Sequence, residues 1–207
     1  MPIASFPAST HDSEFSGLPW REQLTVRRIM RVNHAGEHGA IRIYGAQIAI
    51  AHRRMPDITV SLEHLLGHEV EHRRRFREIM LSRQVTPCRM LWFWGLGGTV
   101  LGGVTALMGR NAVWTCTAAV EAAVHRHLED QLHFLNARDR TLYGVIDAIK
   151  AEELSHLALA ESNIAVQSRM ERWTAGVIAA ATHALIWLST YGASSRLAAD
   201  LKRDRNS

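Results

Sequence analysis

The chain is predicted to be an all-α bundle with four core helices. Three observations lead there. No segment shows the two-residue alternation of a strand. Apolar residues recur instead at steps of three and four over long runs, the spacing of one helix face. Glutamates and histidines then interrupt those apolar stripes at matching positions. With 207 residues, 47% of them hydrophobic, the chain suits one domain with a substantial core, and disorder throughout is not expected.

The elements follow in order. The opening "MPIASFPASTHDSEFSGLP" has neither an apolar signal core nor the Arg-rich, acid-poor character of a transit peptide. It reads as a disordered lead-in, residues 1–19, ending at Pro19 where a helix can start. Helical periodicity covers about 20–53, 57–83, 112–136, 139–170 and 173–191. Breaks fall at Pro56, at Pro87 and in "NARD" near 136–139. Short connections make the first four of these two antiparallel hairpins, 20–84 and 112–170. Two apolar segments, 90–109 and 173–192, lie outside the hairpins, and 193–207 reads as a polar tail.

The second helix poses the chemical question. In "LGHEVEHRRRF" the inward stripe runs Leu62, Leu65, Glu69, His72, Phe76, so a carboxylate and an imidazole sit where apolar side chains belong. The other stripes repeat this, with Glu37 between Met30 and Tyr44, Glu121 between Val113 and Leu128, and Glu153 and His156 between Ile146 and Ala160. Glu37 precedes Glu69 by 32 residues and Glu121 precedes Glu153 by 32. A shift of 84 residues superposes Glu37, Glu69 and His72 on Glu121, Glu153 and His156. One hairpin is therefore present twice.

Each 32-residue spacing runs up one helix and down the next, so paired glutamates reach similar heights. Packing the hairpins together gathers four carboxylates and two imidazoles at mid-bundle. Unpaired carboxylates in a low-dielectric core are costly and would take up protons. Two divalent cations cancel the four charges, and mixed oxygen and nitrogen ligation without thiolates suits iron or manganese. A Glu from each of two helices plus Glu-x-x-His from the other two is the di-iron pattern of ferritin-like bundles. The predicted domain is thus a ferritin-like di-iron bundle over 20–192. Among the remaining histidines, His52, His64 and His68 are expected on the surface, and His125 and His127 near the site without ligating.

The apolar segments bear on location. Residues 90–109 carry no charge over twenty positions, long enough for a membrane span. The proposed site argues against spanning, because Glu37 to His72 precede that segment and Glu121 to His156 follow it. A hydrocarbon core about 30 Å thick would separate the half-sites. The expectation is a monotopic protein that dips Trp92, Trp94 and Trp187 into one leaflet beside arginine clusters. The six glycines of 90–109 suggest an irregular, closely packed segment. The arginine clusters do not by themselves indicate nucleic acid, which is not an expected partner.

With these residues in hand, the chain resembles the demethoxyubiquinone hydroxylase family of ubiquinone biosynthesis. "RVNHAGEHGAIRIYGAQ" (31–47) is similar to its first-helix signature and "HEVEHRRRF" to its second-helix Glu-x-x-His segment. "TALMGRNAVWTCTAAVEAAVHRHLEDQL" resembles its third-helix segment and "AEELSHLALA" its last Glu-x-x-His. The resemblance implies two iron ions held by Glu37, Glu69, His72, Glu121, Glu153 and His156, with Glu69 and Glu153 bridging. It leaves catalytic residues beyond that centre unassigned. It further implies a prenylated quinone substrate hydroxylated by O2 and two electrons, with NADH as their source. The place of action would be the cytoplasmic face of a bacterial inner membrane, peripherally, or the matrix side of the mitochondrial one. A lipid-binding accessory protein and a homo-oligomer are partners compatible with that role. The chain departs from the family pattern at His38, Ala122 and Leu128. Other function classes are a different ferritin-like oxidase or peroxidase, and a non-enzymatic membrane-associated scaffold.

Overall fold

The computed structural model describes residues 11–165 together with Trp173, Gly176, Val177, Ala180, Leu197 and Leu201. The fold is an all-α bundle, and no strand occurs among the described residues. Its helices are α1 (His11–Gly17), α2 (Trp20–Arg54), α3 (Pro56–Ser82), α4 (Leu91–Met108), α5 (Arg110–Leu135) and α6 (Arg140–Asn163).

Each break has a local cause. Pro56 has no backbone N–H and occupies the first turn of α3, so the α2 ladder closes at Met55, whose N–H bonds to the Ala51 carbonyl. The chain leaves α3 through Gln84 at φ 52°, with the Val85 N–H returning to the Met80 carbonyl. Between α4 and α5 stands Gly109 at φ 106° and ψ −179°, a conformation essentially reserved for glycine. Asp139 caps α6 by accepting from the Leu142 N–H at 3.0 Å, and its carboxylate also holds Arg83 at the end of α3.

The hairpins α2–α3 and α5–α6 pack against each other around two apolar clusters. One contains Met30, Phe76, Leu135 and Ile146, and the other Tyr44, Leu65, Trp114 and Ala160. The predicted polar stripe residues lie between them.

Three expectations need correction. Part of the lead-in is helical, and Phe15 on α1 is buried in the first cluster with Arg27 and Arg83 over its ring. The tail is not polar throughout, since Leu197 and Leu201 are buried in that same cluster. Within 90–109 the apolar segment is helical, as the fold class expects, but Leu91–Met108 form one continuous helix where the glycines suggested irregularity. The glycines there serve close approach: a side chain on Gly98 would strike the Gly39 carbonyl, and one on Gly102 the Ile43 carbonyl. Most of 173–192, Trp187 included, lies outside the described residues.

The outer face of α4 carries Trp92, Leu96, Val100, Val104 and Leu107, all exposed. By length and composition α4 is apolar enough to cross a membrane. Trp94 belongs to the other face, buried against Gly39.

Candidate metal centre

Helix pitch and hairpin symmetry bring all six predicted side chains to one place. Glu37 comes from α2, Glu69 and His72 from α3, Glu121 from α5, and Glu153 and His156 from α6. All six are buried. They form two overlapping sets, Glu37–Glu69–His72–Glu153 and Glu69–Glu121–Glu153–His156. Within each set the donor atoms lie within 4.8 Å of one another, and Glu69 and Glu153 belong to both.

The electrostatics are those of crowded anions. Burial, then the charges of Glu69 and Glu153, push the Glu37 carboxyl well above the usual range. Burial and Glu153 do the same to Glu121, and Glu69 is raised by burial and Glu153. Burial alone would raise Glu153 too, but His156 and His72 hold it below the usual range. Burial opposes charge on His156, yet Glu153 and Glu69 push it up to about 9.

Both histidines turn the same nitrogen inward. His72 Nδ1 lies 3.2 Å from Glu153 Oε1, and His156 Nδ1 lies 3.2 Å from Glu153 Oε2 and 3.6 Å from Glu69 Oε1. Their Nε2 atoms face outward to a second layer. His72 Nε2 meets Glu152 Oε2 at 2.9 Å, and His156 Nε2 meets His68 Nδ1 at 2.8 Å. Glu152 in turn accepts from Arg75 at 3.1 Å. Tyr44 donates its hydroxyl to Glu121 Oε1 at 2.6 Å.

The donor set fits divalent cations. Glu69 Oε1 and His72 Nδ1 are buried without a hydrogen-bond partner among the described residues, an arrangement an ion at the centre would relieve. No sulfur enters either set, and Cys116, its thiol pushed up to about 12 by burial, lies in a separate apolar cluster.

An apolar cavity of about 130 Å³ opens from Glu37, Glu69, Glu121 and Glu153. Its walls include Val32 and Ile43 of α2, Trp94 and Leu101 of α4, and Val120 and Val124 of α5. Asn33 and Gln131 also line it, joined by reciprocal hydrogen bonds of 2.7 and 3.1 Å.

Sequence reasoning missed part of the second layer. His68 is half-buried and bonded to His156 rather than exposed, because α3 and α6 pack together at the site and the flank beside Glu69 faces α6. Glu152 was overlooked, although it stands four residues before His156 as His68 stands before His72. Of the other expected surface histidines, His52 and His64 are exposed. His127 is half-buried and lines the cavity, while half-buried His125 pairs with Glu129 on its own helix at 3.4 Å. The departures from the family pattern also have places: Leu128 is core, Ala122 is half-buried, and His38 lies over Gly95 of α4.

The family profile described as ubiquinone biosynthesis protein COQ7 matches residues 24–189. The 3-demethoxyubiquinol 3-hydroxylase of Rhodospirillum rubrum is 36% identical over 164 residues, covering 79% of this chain and 77% of that protein. A mitochondrial NADPH-dependent 3-demethoxyubiquinone 3-hydroxylase of Dictyostelium discoideum is 32% identical over 80% of this chain and 76% of its own length. The Bos taurus protein of the same name is 36% identical over 63% of this chain and 61% of its length. With a match that spans all four core helices and both Glu-x-x-His segments, this chain belongs to the COQ7 family of ubiquinone biosynthesis proteins.

Proposed function

We propose that Glu37, Glu69, His72, Glu121, Glu153 and His156 hold two iron ions, and that the protein hydroxylates the ring of a prenylated demethoxyubiquinone using O2 and two electrons. The observation that carries this reading is the pair of donor sets sharing Glu69 and Glu153 at the end of an apolar cavity. Bound iron would supply the one-electron chemistry through which dioxygen reacts with a closed-shell ring.

The chain's own residues do the rest. Glu69 and Glu153 would serve both sets, while Glu37 with His72 and Glu121 with His156 would complete one set each. Four carboxylates balance two divalent charges. Val32, Ile43, Leu101, Val120 and Val124 offer the ring an apolar slot and exclude bulk water. A reduced nicotinamide is the electron source; the resemblance implied NADH, and the names of the bovine and Dictyostelium relatives specify NADPH.

The build of α4 supports a peripheral membrane location. Were α4 to span, the adjoining stretch of α2, with Arg42, Arg53 and Arg54, would be carried into hydrocarbon at high cost. Peripheral insertion of the outer face of α4 avoids that, and sets the cavity wall formed by Trp94 and Leu101 beside a lipid phase that holds prenylated quinones.

The test is a reaction of the iron-loaded protein with a short-prenyl demethoxyubiquinone, reduced nicotinamide and isotopically labelled O2. Product carrying one labelled oxygen is expected. Absence of product with full iron content and a reduced centre would overturn the hydroxylase reading.

A further inference from the structure

The 84-residue repeat relates second-layer residues as well as ligands. His68 corresponds to Glu152, just as Glu69 corresponds to Glu153 and His72 to His156. In the structure each member braces the other hairpin's histidine: Glu152 bonds His72 Nε2 at 2.9 Å, and His68 bonds His156 Nε2 at 2.8 Å. The contacts obey the pseudo-two-fold relation, but the chemistry does not. One brace is a carboxylate and the other an imidazole.

We propose that His68 and Glu152 are positioning residues that make the two metal sites unequal, the Glu37–His72 site holding its divalent ion more tightly than the Glu121–His156 site. The inference rests on the metal reading above. A histidine ligating through Nδ1 carries its proton on Nε2, and the acceptor there sets ring orientation and donor strength. A carboxylate acceptor draws that proton strongly and makes the ring a better donor, whereas an imidazole nitrogen is neutral and weaker. Arg75 on Glu152 shares the carboxylate without removing its charge. A second broken pair acts in the same sense. Tyr44 donates to Glu121 and draws charge from it, while Leu128, its counterpart 84 residues on, has no donor to offer Glu37.

Arg75, itself bonded to Glu71, holds Glu152 from the outside, and His64 lies 4.3 Å from His68, ring centroid to centroid. Each brace is therefore held from behind, so exchanging its chemistry need not collapse its position.

The experiment is anaerobic titration of the metal-free full-length chain with Mn2+, following the signal of free Mn2+. Two steps separated by about 10-fold in affinity are expected, the range second-layer partners command. His68→Leu should weaken the second step a further 10-fold or so and leave the first in place. His68→Gln, which keeps an acceptor, should restore the native isotherm. His68→Glu, which makes the braces alike, should bring the steps together. Glu121→Gln should remove the weak step and Glu37→Gln the tight one. Two equal steps in the native chain, or a His68→Leu variant of native helicity that weakens both ions alike, would overturn the proposal. Failure to bind two ions at all would instead overturn the metal reading on which it rests.

Discussion

A carboxylate shared by both donor sets and one that serves a single set should fail differently. Glu69→Gln or Glu153→Gln should disturb both ions and abolish turnover, because each removes charge from both sets. Iron analysis beside activity checks this; near-normal turnover with full iron would contradict the ligand assignment. Protons compete for the same atoms. Glu37, Glu69 and Glu121 are raised above their ordinary value of 4.5, and His156 is raised from 6.5 to about 9. A group raised on folding contributes stability that is complete below its ordinary pKa and is lost as pH rises through the folded one. His34, His38 and His68 are lowered by burial and act in the opposite sense up to their ordinary value of 6.5, so the metal-free protein should lose thermal stability from about pH 7 to pH 9. Glu153, shifted the other way, matters only on the acid side of that window. Saturating Mn2+ should reverse the slope, since deprotonated ligands bind the ion better as pH rises. Melting curves with chelator and with Mn2+ measure both slopes. The six donors were legible in the sequence because a charged residue on an apolar stripe violates the helix period. Glu152 and His68 were not, because they sit one position off the stripe, where charged residues are ordinary.

At the scale of helices, the α2–α4 contact turns on which glycine is changed. Gly102→Ala should destabilise by about 1–3 kcal/mol, because the new methyl group meets the Ile43 backbone, which cannot rotate aside. Gly103→Ala, one residue on with open space around it, should stabilise by about 0.5–1 kcal/mol through reduced chain entropy. Denaturant melts of the two variants should differ in sign. A second hinge of the fold is the buried Arg83–Asp139 pair, which ties the end of α3 to the start of α6. Asp139→Ala should cost about 3–5 kcal/mol, since it strands a buried guanidinium and removes a helix cap together. A loss below about 1 kcal/mol would mean that water or another acceptor reaches Arg83. Helix periodicity placed α2, α3, α5 and the start of α6 to within two residues, but it ran α6 on to 170 where the helix ends at Asn163, and it gave α4 no inward face. A glycine-rich apolar run has no polar face, and only the neighbouring helix gives its glycines a direction.

For the molecule as a whole, the proposed membrane face is the outer side of α4. Replacing Trp92 and Leu96 by Ser removes two exposed apolar side chains, each worth about 1.5–3 kcal/mol when buried. The doubly substituted protein should move from anionic vesicles to the soluble fraction in flotation with its metal content unchanged from that of the unsubstituted protein. Trp94→Ser is the contrasting variant. Its side chain packs against Gly39 inside the bundle, so its loss should lower the melting temperature. Equal release by both variants, without loss of stability in Trp94→Ser, would contradict this division of the helix.

The sequence by itself determined the helical class, the two-fold repetition of a hairpin and the six residues that converge, because helix pitch turns spacing into direction. It also carried the family resemblance that the comparison with relatives bears out. Only the tertiary structure decided that Phe15, Leu197 and Leu201 join the core, because short segments with isolated apolar residues have no period to read. The packing of α3 against α6 likewise decided that His68 and Glu152 brace the opposite hairpin's histidines. Contacts across helices depend on the rotation and separation of whole elements, quantities that no spacing along one chain segment encodes.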